Sequence, residues 1–341
     1  MAENETKYPT LLDMTKRLDP NGKIDIIAEV LNETNEMLDD VVWKEGNLPT
    51  GHKATIRSGI PEPTWRKLYQ GVQPNRSTTV QITDTCGMLE AYAEVDKKLA
   101  DLNGNTAEFR VSEDKAHIEG MSQALAKALI YGDTSTDAEK IMGLAPRYSE
   151  ISDDDSKSGS QIIDAGGTGS VNTSIWLVVW GDNVHGIYPK GSKAGLTMED
   201  KGQVTLQDSD GGNFEGYRTH YAWDCGLHVK DWRYILRIAN IDTTALKTAG
   251  DDSDTSANIL KYMLMSLDMI PNLNAGRAAF YMNKLVRQML RVKLMNKSNN
   301  LLSLDDWTRP NGVTQKTLSF LGIPCRKVDK ITNAESTVTE S

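Results

Sequence analysis

The amino-acid sequence predicts an α+β protein, and three stretches of its 341 residues carry that prediction. Residues 105–132 have the pattern of one long helix, and residues 217–241 carry the strongest strand pattern in the chain. Residues 40–85 are rich in glycine and proline and too poor in apolar residues to form a packed core. That composition is typical of an extended segment attached to a helical and β-sheet body.

The long helix has recognisable ends. Asn105 is a suitable N-cap, Glu108 follows three residues later as in a capping box, and Gly132 is a natural stop. A helix of about 26 residues is about 39 Å long. We expect its C-terminal half, with an apolar stripe, to pack on a core, and its charged N-terminal half to lie in water or against charged neighbours. The stripe comprises Ile118, Met121, Ala124, Leu125, Ala128 and Leu129.

The N-terminal part of the chain divides into an arm, residues 1–39, and an extended loop, residues 40–86. Two helices are predicted in the arm, at Thr10–Asp19 and Ile24–Leu38. Short strand-like pieces are predicted in the loop, where basic residues outnumber acidic ones; they are Ala54–Arg57, Trp65–Tyr69 and Thr78–Thr83. Because an isolated hairpin is marginal in water, we expect the loop to lie on a neighbour. A flexible loop that covers a substrate is the alternative.

A peripheral domain is predicted for residues 87–250. Gly87–Asn103 has helical spacing, with Met88, Leu89, Tyr92, Val95 and Leu99 directed inward. Strands are predicted at Ser174–Trp180 and Val184–Tyr188, separated by three turn-forming residues. Ser152–Ser160 reads as an exposed acidic loop.

Residues 217–241 predict a hairpin with Lys230 and Asp231 as its turn. This register places Trp223 opposite Ile238 and makes one face apolar throughout. On the other face it sets Asp224 opposite Arg237, an opposite-charge pair worth about 0.2–1 kcal/mol. Trp232 would follow the turn on the apolar face.

An axial domain with the closing strand is predicted for residues 251–341. Helices are expected at Ser256–Ile270 and Lys284–Met295, with a short strand at Ala278–Met282 between them. Ser298–Gly312 is expected to be a loop, and Thr317–Asp329 a bend followed by the closing strand.

Charge and cysteine content exclude several classes of protein. The net charge of −9 argues against strong nucleic-acid binding through a general basic surface. The three cysteines are far apart, with no CxxC pair, which argues for a reducing compartment and against structural zinc. No apolar run approaches the about 18 residues that a membrane span needs, and no signal peptide is visible.

Catalytic and metal-binding motifs are not apparent. The sequence has no HExxH or GxSxG, and the glycines at 166–169 lack the spacing of a phosphate-binding loop. His220 and His228 would share a strand face but stand about 27 Å apart. His52 and His185 fall in turn-like segments. We therefore predict no catalytic residue, no cofactor and no metal.

Three segments resemble the major capsid proteins of tailed phages, which have the Hong Kong 97-type fold. Phe280–Asn283 followed by the helix from Lys284 looks like the strand, asparagine and helix of the axial domain in that family. Phe320–Arg326, which contains Gly322 and Pro324, looks like its "LLG-hydrophobic-P" strand. The stretch LPTGHKATIRSGIPEPTWRKLYQG is similar to the extended loop of short-tailed phages related to epsilon fifteen. One difference is that the strand block Trp180–Ile238 precedes the Gly-Ile-Pro strand, a shuffled connectivity that resembles the short-tailed branch. It puts any cross-linking residues in doubt, and none is assigned.

The resemblance implies a structural subunit, not an enzyme, that self-assembles into hexamers and pentamers of an icosahedral shell around double-stranded DNA. It also implies the virion as location, with assembly in the host cytoplasm. The implied partners are further copies of the chain, a scaffolding protein supplied by another chain, a decoration protein, the portal and packaged DNA without sequence-specific contact. No membrane partner is implied.

The predicted site residues fall into two groups. Basic loop residues are expected to meet acidic faces of neighbouring subunits, and a second set is expected to be structural. The contact set is Arg57, Arg66, Lys67, Arg76, Glu108, Glu113 and Asp114. The structural set is Trp223, Trp232, Asp224, Arg237, Asn283, Gly322 and Pro324.

Two alternatives remain open from the sequence. An encapsulin-like compartment would have the same fold and would co-purify with an enzyme cargo. A carbohydrate-active hydrolase using the tryptophan-rich strands would need convergent carboxylates, which the sequence does not identify.

Overall fold

The computed structural model describes residues 8–9, 33–104, 106–208, 210–248, 258–294, 301–308 and 314–340. The predicted helix Thr10–Asp19, most of the predicted helix Ile24–Leu38, and Asn105 lie outside these residues. The helices are α1 (Met37–Asp40), α2 (Lys97–Ala100), α3 (Thr106–Tyr131), α4 (Thr243–Thr248), α5 (Ile259–Met269) and α6 (Lys284–Lys293). No helix within the described ranges is long and apolar enough to cross a lipid bilayer.

Fourteen strands are present in the described part of the chain, and they form three sheets. The strands are β1 (Trp43–Glu45), β2 (Gly51–Gly59), β3 (Thr78–Thr85), β4 (Gly87–Asp96), β5 (Ile162–Asp164), β6 (Asn172–Gly181), β7 (Val184–Tyr188), β8 (Thr197–Gln207), β9 (Asn213–Val229), β10 (Ile235–Asp242), β11 (Gly276–Met282), β12 (Leu302–Thr308), β13 (Thr314–Phe320) and β14 (Ile323–Lys327). Short 3₁₀ turns connect several of them.

The largest sheet has seven strands in the order β12-β13-β14-β11-β6-β10-β5. Its interior strand β6 is buried along nearly its whole length. Alternate residues of β6 belong to two separate cores. Trp176, Val178 and Trp180 face α3 and the five-stranded sheet. Leu177 and Val179 lie on the other face, which α5 and α6 cover. The sheet is therefore a middle layer, apolar on both faces. It takes strands from both sides of residue 250, and the domain limits 87–250 and 251–341 remain predictions.

The second sheet has five strands, with the order β1-β7-β9-β4 and β8 also paired to β9. Strand β9 is 17 residues long, so different parts of it pair with different neighbours. Its N-terminal part pairs with β8 and its C-terminal end with β7, while β4 runs along the opposite edge. Helix α3 packs on this sheet through Met121, Leu125 and Leu129.

The long helix is confirmed, and its two halves differ less than expected. Met121, Leu125 and Leu129 are buried as predicted, whereas Ile118 is 39% exposed. The charged N-terminal half contains Phe109, which is fully buried against Val95 and Ala100. This half therefore has a small core of its own.

The predicted helix Gly87–Asn103 is wrong, because residues 87–96 form strand β4, and only the short α-helix Lys97–Ala100 and the 3₁₀ turn Leu102–Gly104 follow it. The same residues also fit a period of two. Ala93 and Val95 are buried, while Met88 is 78% exposed and Tyr92 49%. Ten consecutive residues of β4 pair with β9, and this pairing decides the conformation in favour of the strand.

The predicted hairpin of residues 217–241 is also wrong. Strands β9 and β10 lie in different sheets, and the 3₁₀ turn Trp232–Tyr234 redirects the chain between them. Asp224 lies opposite Met88, and Arg237 lies opposite Trp176, so the predicted cross-strand ion pair does not form. The apolar periodicity was informative about burial, since both strands contribute to one core cluster. It did not specify the pairing partners.

Of the remaining strand and helix predictions, some match the structure and others do not. Strands β6, β7 and β11 and helices α5 and α6 match their predicted positions, although β6 and β7 enter different sheets. The predicted loop Ser298–Gly312 contains β12. Residues 65–69 are not a strand, and Asn35, inside a predicted helix, makes a β-bridge with Val328.

Buried ion pairs fasten both ends of the described chain to the seven-stranded sheet. Arg237 Nη2 donates to Glu335 Oε2 at 2.9 Å, with both side chains about 5% exposed. Arg326 Nε donates to Oδ2 of Asp40, the last residue of α1, at 2.8 Å. Arg287 Nη1 lies 3.2 Å from Glu36 Oε1. Each pair joins a strand or helix of the core to a terminal segment that has little secondary structure of its own.

We expect Glu335→Ala to lower the free energy of unfolding of the subunit by about 3–5 kcal/mol, because it leaves the buried Arg237 guanidinium uncompensated. Denaturant unfolding followed by circular dichroism measures this change. Asp224→Asn is the matched control and is expected to cost less than about 1 kcal/mol. Equal losses in the two variants would contradict the assignment of Glu335 as the partner of Arg237.

Candidate subunit interface

The extended loop projects from the body as a two-stranded sheet formed by β2 and β3. These strands pair with each other over Gly51–Gly59 and Thr78–Thr85 and belong to neither larger sheet. The predicted strand pieces Ala54–Arg57 and Thr78–Thr83 fall within them. Residues 62–80 are all exposed. A two-stranded sheet with so little burial is marginal in water, so the loop needs a surface to lie on.

Large apolar side chains are concentrated at the tip of the loop. Ile60 is 82% exposed, Leu68 84%, and Trp65 and Tyr69 are completely exposed. Tyr69 also has a positive φ of 65°, a conformation that only a few per cent of non-glycine residues adopt. An exposed group of this kind on a subunit marks an interaction surface. The site residues predicted from the sequence did not include these four, although the short apolar spacing of Trp65, Leu68 and Tyr69 was a usable signal.

The four predicted basic residues are all on this loop and all exposed: Arg57 on β2, and Arg66, Lys67 and Arg76 between the strands. All four therefore belong to the same projecting loop as the apolar tip, and we call them the basic strip.

The three predicted acidic residues are not equivalent. Glu108 is exposed near the start of α3, whereas Glu113 and Asp114 are half-buried. Asp114 accepts a hydrogen bond from the hydroxyl of Tyr221 on β9. This contact helps to raise the pKa of Tyr221, for which burial is the larger cause. Of the three, Glu108 is the one best placed to meet a neighbouring subunit.

The base of the loop is fixed to the body by a buried polar network around Asp84 of β3. Its carboxylate accepts hydrogen bonds from Arg147 Nη2 at 2.7 Å, His228 Nδ1 at 2.7 Å and the Val229 backbone N–H at 3.2 Å. Burial raises the pKa of Asp84, but the bonds and charges from His228 and Arg147 outweigh it and leave the pKa lowered. The ionised carboxylate thus joins β3 to β9.

The structure places five of the predicted structural residues as follows. Asn283 is the N-cap of α6, where its Oδ1 accepts from the Val286 N–H at 2.9 Å. Gly322 has a φ of 83° in the two-residue turn between β13 and β14, a conformation that favours glycine. Pro324 is half-buried in β14, and Trp223 and Trp232 pack against the main core.

Two of the histidine assignments need correction. His52 lies on β2 and His185 on β7, neither in a turn, and both approach His228 on β9. Sequence spacing could not show this, because the three residues come together only through the pairing of β7 with β9 and the packing of β2 beside them.

Cys86, Cys225 and Cys325 are free thiols.

Comparison with known families gives one match over most of the chain. A family described as "Major capsid protein GP7" matches residues 19–339. No curated protein matches the sequence significantly.

The fold of this chain is similar to those of solved phage and encapsulin shell proteins. The bacteriophage Epsilon15 structure is 36% identical in sequence, covers 97% of this chain and 97% of its own chain, and has a TM-score of 0.75. The bacteriophage JBD30 capsid is 9% identical and covers 90% of this chain and 95% of its own, with a TM-score of 0.49. The SrpI encapsulin of Synechococcus elongatus is 10% identical and covers 63% of this chain and 91% of its own, with a TM-score of 0.42. The last two similarities are too low to support an argument.

We expect Trp65→Ala to change the free energy of unfolding of the isolated subunit by no more than about 0.5 kcal/mol, because a fully exposed side chain has no packing to lose. Trp180→Ala, at a site that is 1% exposed, should cost about 3–5 kcal/mol. Denaturant titration of both variants makes the comparison. A large loss from Trp65→Ala would mean that the loop tip packs on its own subunit.

Proposed function

This chain belongs to the family of GP7 major capsid proteins, and we propose that its extended loop is the segment that joins neighbouring subunits in the shell. The family places the protein in the phage virion as a structural subunit. The encapsulin-like and hydrolase alternatives are not carried forward, because the family match covers nearly the whole chain. The observation that carries the proposal is the group of exposed apolar residues at the loop tip.

Apolar burial is the larger energetic term in this contact. Burying one Leu or Ile side chain that was exposed is worth about 1.5–3 kcal/mol, and aromatic residues bury about 150–250 Å² each. An exposed ion pair is worth only about 0–1 kcal/mol. Ile60, Trp65, Leu68 and Tyr69 together therefore outweigh the four basic residues in affinity. The sequence-based expectation already had the loop lying on a neighbour, but it named only charged residues for the contact, and the apolar tip adds the larger energetic term.

The basic strip has a different role in the proposal. Arg57, Arg66, Lys67 and Arg76 meet acidic surface on the adjacent subunit, with Glu108 at the start of α3 as its most exposed candidate. Charge complementarity of this kind sets orientation and speeds association more than it adds affinity. The apolar tip then fixes the loop in place.

Repetition of the contact gives closed rings. A loop on one subunit that meets a different surface on the next makes a head-to-tail interface, and such interfaces close into rings when the rotation allows. We propose hexamers and pentamers of an icosahedral shell as these rings, assembled in the host cytoplasm. A separate scaffolding protein, a decoration protein, the portal and packaged double-stranded DNA are the proposed partners. Shell assembly by the chain alone would count against the scaffolding partner.

The apolar part of the proposal predicts that Trp65→Ser combined with Leu68→Ser abolishes or strongly reduces shell formation. Each such residue at the centre of an interface contributes about 2 kcal/mol or more, so the pair should lower each loop contact by more than 100-fold, since about 1.4 kcal/mol is a factor of ten. Sedimentation and negative-stain microscopy after co-expression with scaffolding protein measure the particles.

The matched control replaces exposed apolar residues outside the loop. Met88 is 78% exposed on β4 and Val111 52% exposed on α3, so Met88→Ser with Val111→Ser changes the same property elsewhere. Wild-type particle yield in the control and loss in the loop variant is the expected outcome. Normal shells from the loop variant would refute the apolar contact.

The electrostatic part predicts that Arg66→Glu combined with Lys67→Glu slows assembly, with a larger effect at low salt, because exposed charges are screened as ionic strength rises. Light scattering at two salt concentrations follows the rate. Lys115→Glu with Lys127→Glu, at exposed sites on α3, is the control for net charge. Unchanged assembly in the loop variant would show that the basic strip has no part in the contact.

A further inference from the structure

Three histidines from three strands meet at the base of the extended loop. His185 of β7 lies directly opposite His228 of β9, and His52 of β2 approaches both. The ring centroids are 4.5 Å apart for His52 and His228, 5.1 Å for His185 and His228, and 5.8 Å for His52 and His185. One ring nitrogen from each residue lies within 4.8 Å of those from the other two.

We propose that His52, His185 and His228 bind a divalent transition-metal ion, with Zn²⁺ as the cation that three imidazoles suit best. Three histidines with an open fourth position for water form an established zinc donor set. Carboxylate-rich sites select Mg²⁺ or Ca²⁺, whereas imidazole nitrogen selects Zn²⁺, Cu²⁺ or Ni²⁺.

The distances require only a small closure of the rings. Zinc holds imidazole nitrogens at about 2.0–2.1 Å in a tetrahedron, which places the nitrogens about 3.4 Å apart. The nitrogens now lie within 4.8 Å of one another, so a closure of at most about 1.4 Å brings the three into that range. His52 is half-buried at the edge of a two-stranded sheet, so its side chain is the one with most room to move.

The ring nitrogens that face no partner are the second observation. His52 Nδ1, His185 Nδ1 and His228 Nε2 are each buried and make no hydrogen bond, and the His228 side chain is only 1% exposed. Buried polar atoms without a partner are rare in folded proteins and call for a physical reason. A metal ion would accept a lone pair from each of the three.

Asp84 orients His228 for this role. Its Oδ2 accepts a hydrogen bond from His228 Nδ1 at 2.7 Å, which places the proton on Nδ1 and leaves the lone pair on Nε2. A carboxylate that holds the second nitrogen of a ligand in this way is a general feature of protein zinc sites. Arg147 and the Val229 N–H hold the carboxylate in turn.

The surrounding charges permit a cation. Lys44 and Lys230 are close enough to oppose a cation, but Lys44 is paired with Asp182. Asp84 adds a negative charge beside the cluster, which it shares with the paired guanidinium of Arg147.

The bound ion would fasten β2, the first strand of the extended loop, to the five-stranded sheet. It would therefore fix the angle at which the loop leaves the body. This inference does not depend on where the loop tip docks, and metal binding can succeed or fail independently of shell assembly.

The test uses full-length protein in purified particles, stripped with a chelator and dialysed against Zn²⁺, with bound metal measured by mass spectrometry. We expect one Zn²⁺ per subunit. Asp84→Asn removes the hydrogen-bond partner of a ligand and should lower the zinc affinity by about 10- to 100-fold. His52→Gln and His185→Gln each remove a ligand itself and should lower the affinity further. Substitution with Co²⁺ adds a visible absorption signature of histidine coordination.

Matched controls are two histidines outside the cluster. His117 stacks on Tyr221 and His220 stacks on Tyr92, so His117→Gln and His220→Gln should bind Zn²⁺ like the wild type. Cys86→Ser with Cys225→Ser tests thiolate binding and should also have no effect. The site would be overturned if the wild type bound no zinc or if His52→Gln bound zinc fully. His52→Gln is the decisive variant because this half-buried residue is the least needed for folding.

Discussion

Burial of strand β6 on both faces is the constraint on which the rest of the fold depends. A strand with apolar side chains on both faces must lie in the interior of a sheet that is covered on both sides. Strands β10 and β11 supply its two neighbours, helices α5 and α6 cover one face, and helix α3 with the five-stranded sheet covers the other. Once β6 is placed, the layer order of the molecule is determined, and the extended loop is left outside it.

Local patterns were sufficient wherever a helix or strand carries its own signals. Helix α3 has an apolar stripe along its C-terminal half, and α6 has the Asn283 cap directly before an apolar stripe. The turn at Gly322 requires a left-handed backbone, which a glycine next to a hydrophobic strand indicates in the sequence. These features depend on residues a few positions apart, so a sequence can specify them without knowledge of the partners.

The pairing of strands could not be obtained in the same way. Residues of β4 satisfy a helical period and a strand period equally, and only the ten paired positions on β9 decide between them. Strands β9 and β10 share a core and have the alternation of a hairpin, yet the turn at Trp232–Tyr234 sends them into different sheets. The histidine cluster depends on the same long-range pairing and was missed for the same physical reason.

The completely exposed Trp65 and Tyr69 also have a kinetic meaning for the phage. A free subunit carries these side chains into the crowded interior of the infected cell, where exposed apolar surface favours non-specific aggregation at micromolar concentration and above. Aggregation therefore increases with the concentration of unassembled subunits and with the time they remain unassembled. Rapid incorporation into a particle shortens the time for which the loop tip is exposed. The exposed tip therefore links the yield of particles to the timing of synthesis and assembly.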